Sequence, residues 1–175
     1  MCYIITAGKN KMDGEDKLEY RLYSNSPVMT MEIARRMGGL LKPGDVLCLY
    51  GELGAGKTCF VQGLARGMGI TSRVNSPTFT IVKEYPGVPP LYHFDVYRLA
   101  NIEELIDIGF DEYIAGDGVC VIEWADKIET ALPADRLDIK LNASSPGERE
   151  IVLLAHGSRA TQLLEGVRMV VPAGA

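Results

Sequence analysis

The 175-residue sequence has no excess of positive charge. Its 18 Lys and Arg residues are outnumbered by 23 Asp and Glu residues, which gives a formal net charge of -5 at pH 7. Proteins that hold nucleic acid by general electrostatic attraction need a basic face, so the composition argues against that mode of binding and leaves only a local basic patch open. Protein and nucleotide partners are favoured instead.

The sequence also lacks paired cysteines and a membrane-spanning run. Its cysteines, Cys2, Cys48, Cys59 and Cys120, form no Cys-x-x-Cys motif, and Cys48 and Cys120 lie in apolar segments where cysteine serves as a small hydrophobic residue. No apolar stretch reaches the length that crosses a bilayer, and the N-terminus carries no charged leader with an apolar core and a cleavage site. We therefore expect no disulfides, no membrane association and a cytoplasmic location.

What the sequence does contain is a glycine-rich segment between a predicted strand and a predicted helix. The segment Gly51-Glu52-Leu53-Gly54-Ala55-Gly56-Lys57-Thr58 matches the pattern Gly-x-x-x-x-Gly-Lys-Thr. Before it, residues 46–50 are apolar on both faces, as in a strand buried in a parallel sheet. After it, Phe60, Leu64 and Met68 recur at helical spacing. This order is the context in which a phosphate-binding loop occurs.

Each part of this loop suits a bound phosphate group. The glycines let successive backbone N–H groups point inward, and the following helix adds the positive end of its dipole. Lys57 supplies a compact positive charge, and the Thr58 hydroxyl is placed to bind a magnesium ion between the outer phosphates. The loop residues expected to contact the nucleotide through their backbone are Glu52, Leu53, Gly54, Ala55 and Gly56. The sequence thus predicts binding of ATP with Mg²⁺.

Two carboxylates end apolar strands elsewhere in the chain. The run at 118–124 is apolar up to Glu123, and in phosphate-loop proteins the acid that ends the neighbouring strand faces the magnesium ion. Glu123 is therefore predicted to bind the metal together with Thr58; the alternative is an acid that only caps a helix over 125–130. Asp95 ends another strand, where a carboxylate needs a cation or metal partner to be tolerated.

The remaining segments indicate an α/β domain of the P-loop NTPase fold, with a central, mostly parallel sheet flanked by helices. We predict an edge strand at 18–23, a hairpin of strands at 79–85 and 91–98, a C-terminal antiparallel hairpin at 137–141 and 150–154, and a closing helix at 158–168. Residues 1–17 are polar and contain glycine, which predicts a flexible N-terminal extension to one domain over 18–175.

Five motifs together resemble one known family. In chain order they are Gly51 to Thr58, Ser76-Pro77-Thr78-Phe79, His93-Phe94-Asp95-Val96-Tyr97-Arg98, Glu103-Glu104-Leu105 with Gly109, and Ile122-Glu123-Trp124. This pattern, running from about residue 26 to 141, is similar to that of the TsaE (YjeE) family. The phosphate loop is common to many families, whereas the His-x-Asp-x-Tyr-Arg and Glu-Trp segments at these spacings are close to diagnostic.

The resemblance implies a bacterial ATPase subunit of the machinery that makes threonylcarbamoyladenosine in tRNA. Family members act with the TsaD and TsaB proteins, and their weak ATP hydrolysis is thought to reset that complex between turnovers. For this chain it implies a partner-gated switch with an indirect link to tRNA, since the acidity of the chain argues against direct tRNA contact.

The resemblance also implies roles for individual positions. Lys57, Asp95 and Glu123 would be the catalytic residues, with Asp95 in the second shell of the metal or orienting the attacking water. The segment Ser76-Pro77-Thr78 looks like a switch loop whose Thr78 lies near the γ-phosphate. Trp124 looks like an aromatic residue beside the nucleotide or at the partner surface.

The sequence shows no obvious arginine finger and no glutamine placed to orient a water molecule. Because phosphoryl transfer depends mainly on positioning and charge neutralisation, we expect slow turnover until a partner completes the site. Two alternatives remain open. One is a small P-loop kinase, although Arg136 is the only arginine between Trp124 and Gly147 that a lid could use. The other is a nucleotide-sensing module that does not hydrolyse ATP.

Overall fold

The apolar and alternating runs of the sequence form eight strands in the part of the chain that the computed structural model describes, residues 7–12 and 15–171. In chain order the strands are β1 (Ala7–Met12), β2 (Glu15–Ser24), β3 (Val46–Tyr50), β4 (Val82–Tyr85), β5 (Leu91–Asp95), β6 (Val119–Glu123), β7 (Arg136–Ser145) and β8 (Glu148–His156). They join in one sheet with the order β1-β2-β8-β7-β3-β6-β5-β4.

Within the described ranges, six helical segments connect and cover these strands. They are α1 (Pro27–Gly38), α2 (Lys57–Gly67), α3 (Glu104–Asp107), α4 (Phe110–Ile114), a 3₁₀ helix (Ala125–Ala131) and α5 (Gly157–Val170). The start of α1 is set locally, because the Ser26 hydroxyl accepts a hydrogen bond from the Met29 N–H at 3.3 Å and Pro27 occupies the first turn.

The predicted fold class is confirmed, but the sheet is mixed rather than mostly parallel, with the parallel pairs at its centre. The pairs β7–β3, β3–β6 and β6–β5 are parallel, whereas β1–β2, β2–β8, β8–β7 and β5–β4 are antiparallel. The predicted C-terminal hairpin is β7–β8, and it adds its strands to the same sheet. In the central register Glu123 lies opposite both Leu49 and Asp95, so three strands end at one edge.

The helices cover the sheet in two hydrophobic layers. On one face α1, α2 and α5 pack over β3, β7, β8 and β2 through buried side chains such as Ile33, Phe60 and Leu164. On the other face α3, α4 and the 3₁₀ helix pack over β3, β5 and β6 through Leu105 and Phe110. Among the described residues no helix is long and apolar enough to cross a membrane, and Cys48, Cys59 and Cys120 are free thiols.

The N-terminal strand differs from its prediction. The strand expected at the edge over 18–23 is β2, which begins earlier and is covered by β1, with Ala7 opposite Tyr20. Strand β1 was not predicted because the polar residues of this segment do not alternate with apolar ones. Part of the predicted extension, residues 1–6 and 13–14, lies outside the described residues, and the flexibility of the extension stays a prediction.

The predicted strands on either side of the Pro86-Gly87 turn are shorter than expected. Strand β4 begins only at Val82, because the Pro77 carbonyl accepts hydrogen bonds from the N–H groups of Thr80 and Ile81 and makes a turn there. Strand β5 ends at Asp95, whose Oδ1 accepts the Tyr97 N–H at 3.1 Å. The predicted helix over 125–130 is 3₁₀ helical.

Helices α1 and α2 approach so closely that glycine is required at their contact. A Cβ atom added to Gly63 would overlap the Met31 carbonyl oxygen and lie 2.6 Å from Ala34 Cβ. Since both neighbours belong to a rigid, buried helix contact, neither can move aside cheaply. The close contact fixes α2, and with it the loop that precedes α2.

We predict that Gly63→Ala lowers the free energy of unfolding by about 1–3 kcal/mol, the usual cost of overpacking, although alanine is the better helix former. Urea denaturation measures this. The matched control is Gly166→Ala in α5, where the added Cβ would meet only the mobile end of the Leu40 side chain at 3.3 Å. Equal effects of the two substitutions would contradict the packing argument.

Candidate functional site

The glycine-rich loop joins the carboxyl end of β3 to the first turn of α2. Gly56 precedes α2 with φ of 103°, a left-handed conformation that a residue with a Cβ adopts only under strain. The outer side of the loop is held by Arg149 of β8, which donates hydrogen bonds to the Ala55 carbonyl at 2.7 Å and the Gly54 carbonyl at 3.1 Å. Sequence reasoning missed Arg149, because only the pairing of β8 with β7 brings it there.

Lys57 lies at the centre of the loop and is only 5% exposed. Its Nζ donates hydrogen bonds to the carbonyl oxygens of Gly51 at 2.5 Å and Glu52 at 3.0 Å. Burial lowers the pKa of Lys57 from its usual value, and the negative charges of Glu123 and Asp95 counteract part of that shift. The ammonium group is thus a desolvated cation held by weak neutral acceptors.

Glu123 connects α2 with two strands of the sheet. The Thr58 hydroxyl donates to its carboxylate at 3.0 and 3.2 Å, and His93 Nε2 lies 2.8 Å from Oε1. An ionised carboxylate only accepts, so Nε2 carries the proton of this bond. His93 is fully buried, and its Nδ1 has no hydrogen-bond partner among the described residues. The sequence left open whether His93 has a structural or a functional role. The structure places His93 against Glu123, the predicted metal ligand.

Asp95 faces the predicted switch loop. Its Oδ2 accepts hydrogen bonds from the Ser76 hydroxyl at 2.5 Å and the Thr78 hydroxyl at 2.9 Å. The two hydroxyl oxygens themselves lie 2.6 Å apart. Asp95 therefore holds the loop by side-chain contacts, while its roles near the metal or the attacking water stay predictions.

Trp124 follows Glu123 in a left-handed conformation, with φ of 63°, that turns its ring back over the loop. The Lys57 Nζ lies 3.5 Å from the centre of this ring, a cation–π distance. The Tyr97 ring also packs against the indole, with ring centres 4.7 Å apart. Positive φ is rare in a residue other than glycine, asparagine or aspartate, so local strain accompanies the position of this ring at the cleft; the sequence did not predict the left-handed backbone.

A cleft of about 510 Å³ collects most of the predicted site residues. It is lined by Leu53, Gly54, Gly56, Lys57, Thr58, Cys59, Ser76, Thr78, Asp95, Tyr97, Arg98, Glu123 and Trp124. Two predicted contacts lie outside this lining: Ala55 packs into the core, and Glu52 bonds Lys57 through its carbonyl. Arg98 places its guanidinium 4.4 Å from the centre of the exposed Phe79 ring. A strand–loop–helix with this loop sequence, beside a buried carboxylate on the neighbouring parallel strand, defines the P-loop class of nucleotide-binding proteins.

Comparison with known proteins identifies the family within that class. The family model for "Threonylcarbamoyl adenosine biosynthesis protein TsaE" matches residues 24–151. The chain belongs to the TsaE family. The matched range begins at the end of β2 and ends within β8, so it includes the loop, the cleft and the strands β3 to β7.

Individual relatives agree with the family model over most of their length. A Bacillus subtilis protein named "tRNA threonylcarbamoyladenosine biosynthesis protein TsaE" is 53% identical over 141 residues, which is 80% of this chain and 88% of the relative. A Treponema pallidum protein of the same name is 47% identical over 133 residues, 76% of this chain and 98% of the relative. The crystal structure of YdiB from Bacillus subtilis has a TM-score of 0.78 and 43% identity, covering 91% of this chain and 98% of that one.

We predict that His93→Leu lowers the free energy of unfolding by about 1–3 kcal/mol, because Glu123 then keeps a buried carboxylate with one partner fewer. The measurement is urea denaturation at pH 7 on a double-mutant cycle with Glu123→Met. The loss should shrink in the Glu123→Met background, where no carboxylate needs a partner. An equal loss in both backgrounds would show that His93 acts only by packing.

Proposed function

We propose that the chain binds MgATP in the cleft and hydrolyses it slowly. We further propose that it serves the threonylcarbamoyladenosine modification of tRNA as a switch that acts on TsaD-like and TsaB-like proteins. The observation that carries this proposal is the convergence of Lys57, Thr58 and Glu123 on one cleft at the carboxyl ends of β3 and β6. The names of the relatives support the pathway.

The size of the cleft and the cationic loop at its base support the proposal of nucleotide binding. A volume of about 510 Å³ lies within the range of roughly 300–1,000 Å³ that is usual for ligand pockets. Helix α2 receives no side-chain cap from Gly56, so its first N–H groups are left for an anion at the positive end of the helix dipole. Lys57 adds the compensating charge.

The oxygen atoms of Thr58 and Glu123 fit a magnesium ion. Mg²⁺ prefers oxygen ligands and usually keeps several waters or substrate oxygens. Within residues 7–12 and 15–171, no group of three or more His, Cys, Asp or Glu side chains could hold a metal by itself. Thr58 and Glu123 would therefore share a magnesium ion with the phosphates. A bound magnesium ion would neutralise part of the negative charge of the phosphates.

For ATP hydrolysis, the side chains in the cleft would position the phosphates and would not act as a strong general base. Lys57 would exchange the carbonyl oxygens of Gly51 and Glu52 for phosphate oxygens, which are stronger acceptors because they are charged. Asp95 keeps Ser76 and Thr78 at the cleft wall through their hydroxyl groups. Arg98 is the one arginine that lines the cleft in the described chain, and Phe79 holds it. Slow turnover without a partner is the expected result.

Removing the central cation should weaken nucleotide binding. We predict that Lys57→Ala raises the Kd for MgATP roughly 10-fold to 100-fold, since hydrogen bonds to charged groups contribute about 1.5–3 kcal/mol. Isothermal titration calorimetry measures this, with Lys42→Ala, an exposed lysine, as control. Unchanged affinity in Lys57→Ala would place the nucleotide elsewhere.

A partner should accelerate hydrolysis. We predict that phosphate release from ATP is slow for the isolated chain and rises at least about 10-fold when TsaD-like and TsaB-like proteins are added, because charge stabilisation supplied in trans has effects of this size or larger. Glu123→Gln should bind the partners but lose the acceleration.

Two outcomes would favour the alternatives. Transfer of labelled phosphate to a small acceptor would indicate a kinase. Full support of tRNA modification by a Glu123→Gln variant that binds ATP without cleaving it would indicate a sensor. Absence of any complex, with or without ATP, would refute the proposed role.

A further inference from the structure

A second concave surface lies on the face of the sheet that carries the short helices. It is an apolar pocket of about 300 Å³ between α3, α4 and the 3₁₀ helix. Leu105 and Phe110 line it and are buried, 4% and 2% exposed, whereas Ile106 and Ile102 leave 77% and 38% of their surface exposed. We call this surface, with its flanking residues Glu103, Asp107 and Asp111, the α3–α4 patch.

The patch lies in the most acidic part of the chain. From Leu99 to Asp126 the sequence has no lysine or arginine and eight acids, namely Glu103, Glu104, Asp107, Asp111, Glu112, Asp117, Glu123 and Asp126. Glu103, Asp107 and Asp111 are exposed, and no basic side chain of the described chain forms an ion pair with them. An exposed isoleucine pair is thus surrounded by uncompensated negative charge.

We propose that the α3–α4 patch docks an amphipathic helix of a protein partner that carries Lys or Arg beside its apolar anchors. An apolar pocket bordered by exposed isoleucines offers a seat for the apolar anchors on one face of such a helix. The acidic rim complements the basic flank and steers the approach of the partner. The same rim repels the phosphates of tRNA, which excludes RNA as the occupant.

The patch is continuous with the cleft at both of its borders. Before it, the chain leaves the cleft-lining residues Tyr97 and Arg98 and enters the patch at Ile102. Later in the chain, the 3₁₀ helix supplies Ala131 to the pocket. This helix begins directly after Trp124, and the Trp124 ring contacts Tyr97. A helix seated on the patch would therefore touch segments that end in the cleft wall.

This inference rests on the proposed function, because the partner used to test it is the complex of TsaD-like and TsaB-like proteins. The test compares wild-type chain, the patch variant Ile106→Ser/Asp107→Lys and the control variant Met169→Ser/Glu165→Lys on α5. Met169 is as exposed as Ile106, at 82%, and lies on the opposite face of the molecule. Biolayer interferometry at low and high salt gives the Kd of each complex, and MgATP binding reports on folding.

The expected result is a Kd raised at least tenfold in the patch variant with a weaker salt dependence, while the control variant stays within twofold of wild type. Equal binding of patch variant and wild type would overturn the inference, as would equal weakening in both variants. The inference would also be overturned if the wild-type chain self-associated, the patch variant alone abolished that self-association, and the Kd for the partner stayed unchanged. Failure of the wild-type chain to bind refutes the proposed function instead. The single variants Ile106→Ser and Asp107→Lys repeat the test if the double variant loses MgATP.

Discussion

The buried carboxylate of Glu123 is the constraint around which the cleft is arranged. A carboxylate that is 2% exposed needs hydrogen-bond donors or a cation, because removing a charge from water costs several kcal/mol. Here the donors come from different elements, the Thr58 hydroxyl from α2 and His93 Nε2 from β5. The Thr58 contact ties the first turn of α2 to β6, and the His93 contact ties β5 to β6, so the phosphate loop lies against the charge of Glu123.

The parallel register of the central strands brings further segments to the same edge of the sheet as Glu123. Because Glu123 lies opposite both Leu49 and Asp95, the ends of β3, β6 and β5 form one edge, and the segments that leave it converge. The loop after β3 brings Lys57, the turn after β6 brings Trp124, and Asp95 holds the predicted switch loop that precedes β4. Side chains of these segments contact one another: Lys57 lies against the Trp124 ring, and the Trp124 ring against Tyr97.

The part of the site that follows from local pattern could be predicted from the sequence. Lys57 and Thr58 follow from the loop motif, and Glu123 from its place at the end of an apolar strand. The partners of these residues could not be predicted, because they depend on pairing between distant strands: Arg149 reaches the loop from β8, and His93 reaches Glu123 across β5 and β6. The packing of Gly63 against α1 and the left-handed Trp124 are equally invisible to periodicity, which records apolar spacing but not interhelical distance or backbone strain.

The hydrogen bonds of the predicted switch loop support the proposal of a nucleotide-dependent switch. Ser76, Thr78 and Asp95 make three short contacts, yet the two hydroxyl groups have only two hydrogens between them, so one contact lacks a hydrogen. If Thr78 turned its hydroxyl toward a phosphate, Asp95 would keep the Ser76 bond and the Tyr97 N–H bond and would lose one hydrogen bond to a charged group, about 1.5–3 kcal/mol. Lys57 faces a similar exchange, from two carbonyl oxygens to charged ones. Each exchange replaces the present acceptor by a charged phosphate oxygen that only a bound nucleotide supplies, which is the energetic condition for a loop that reports the presence of the nucleotide to a partner.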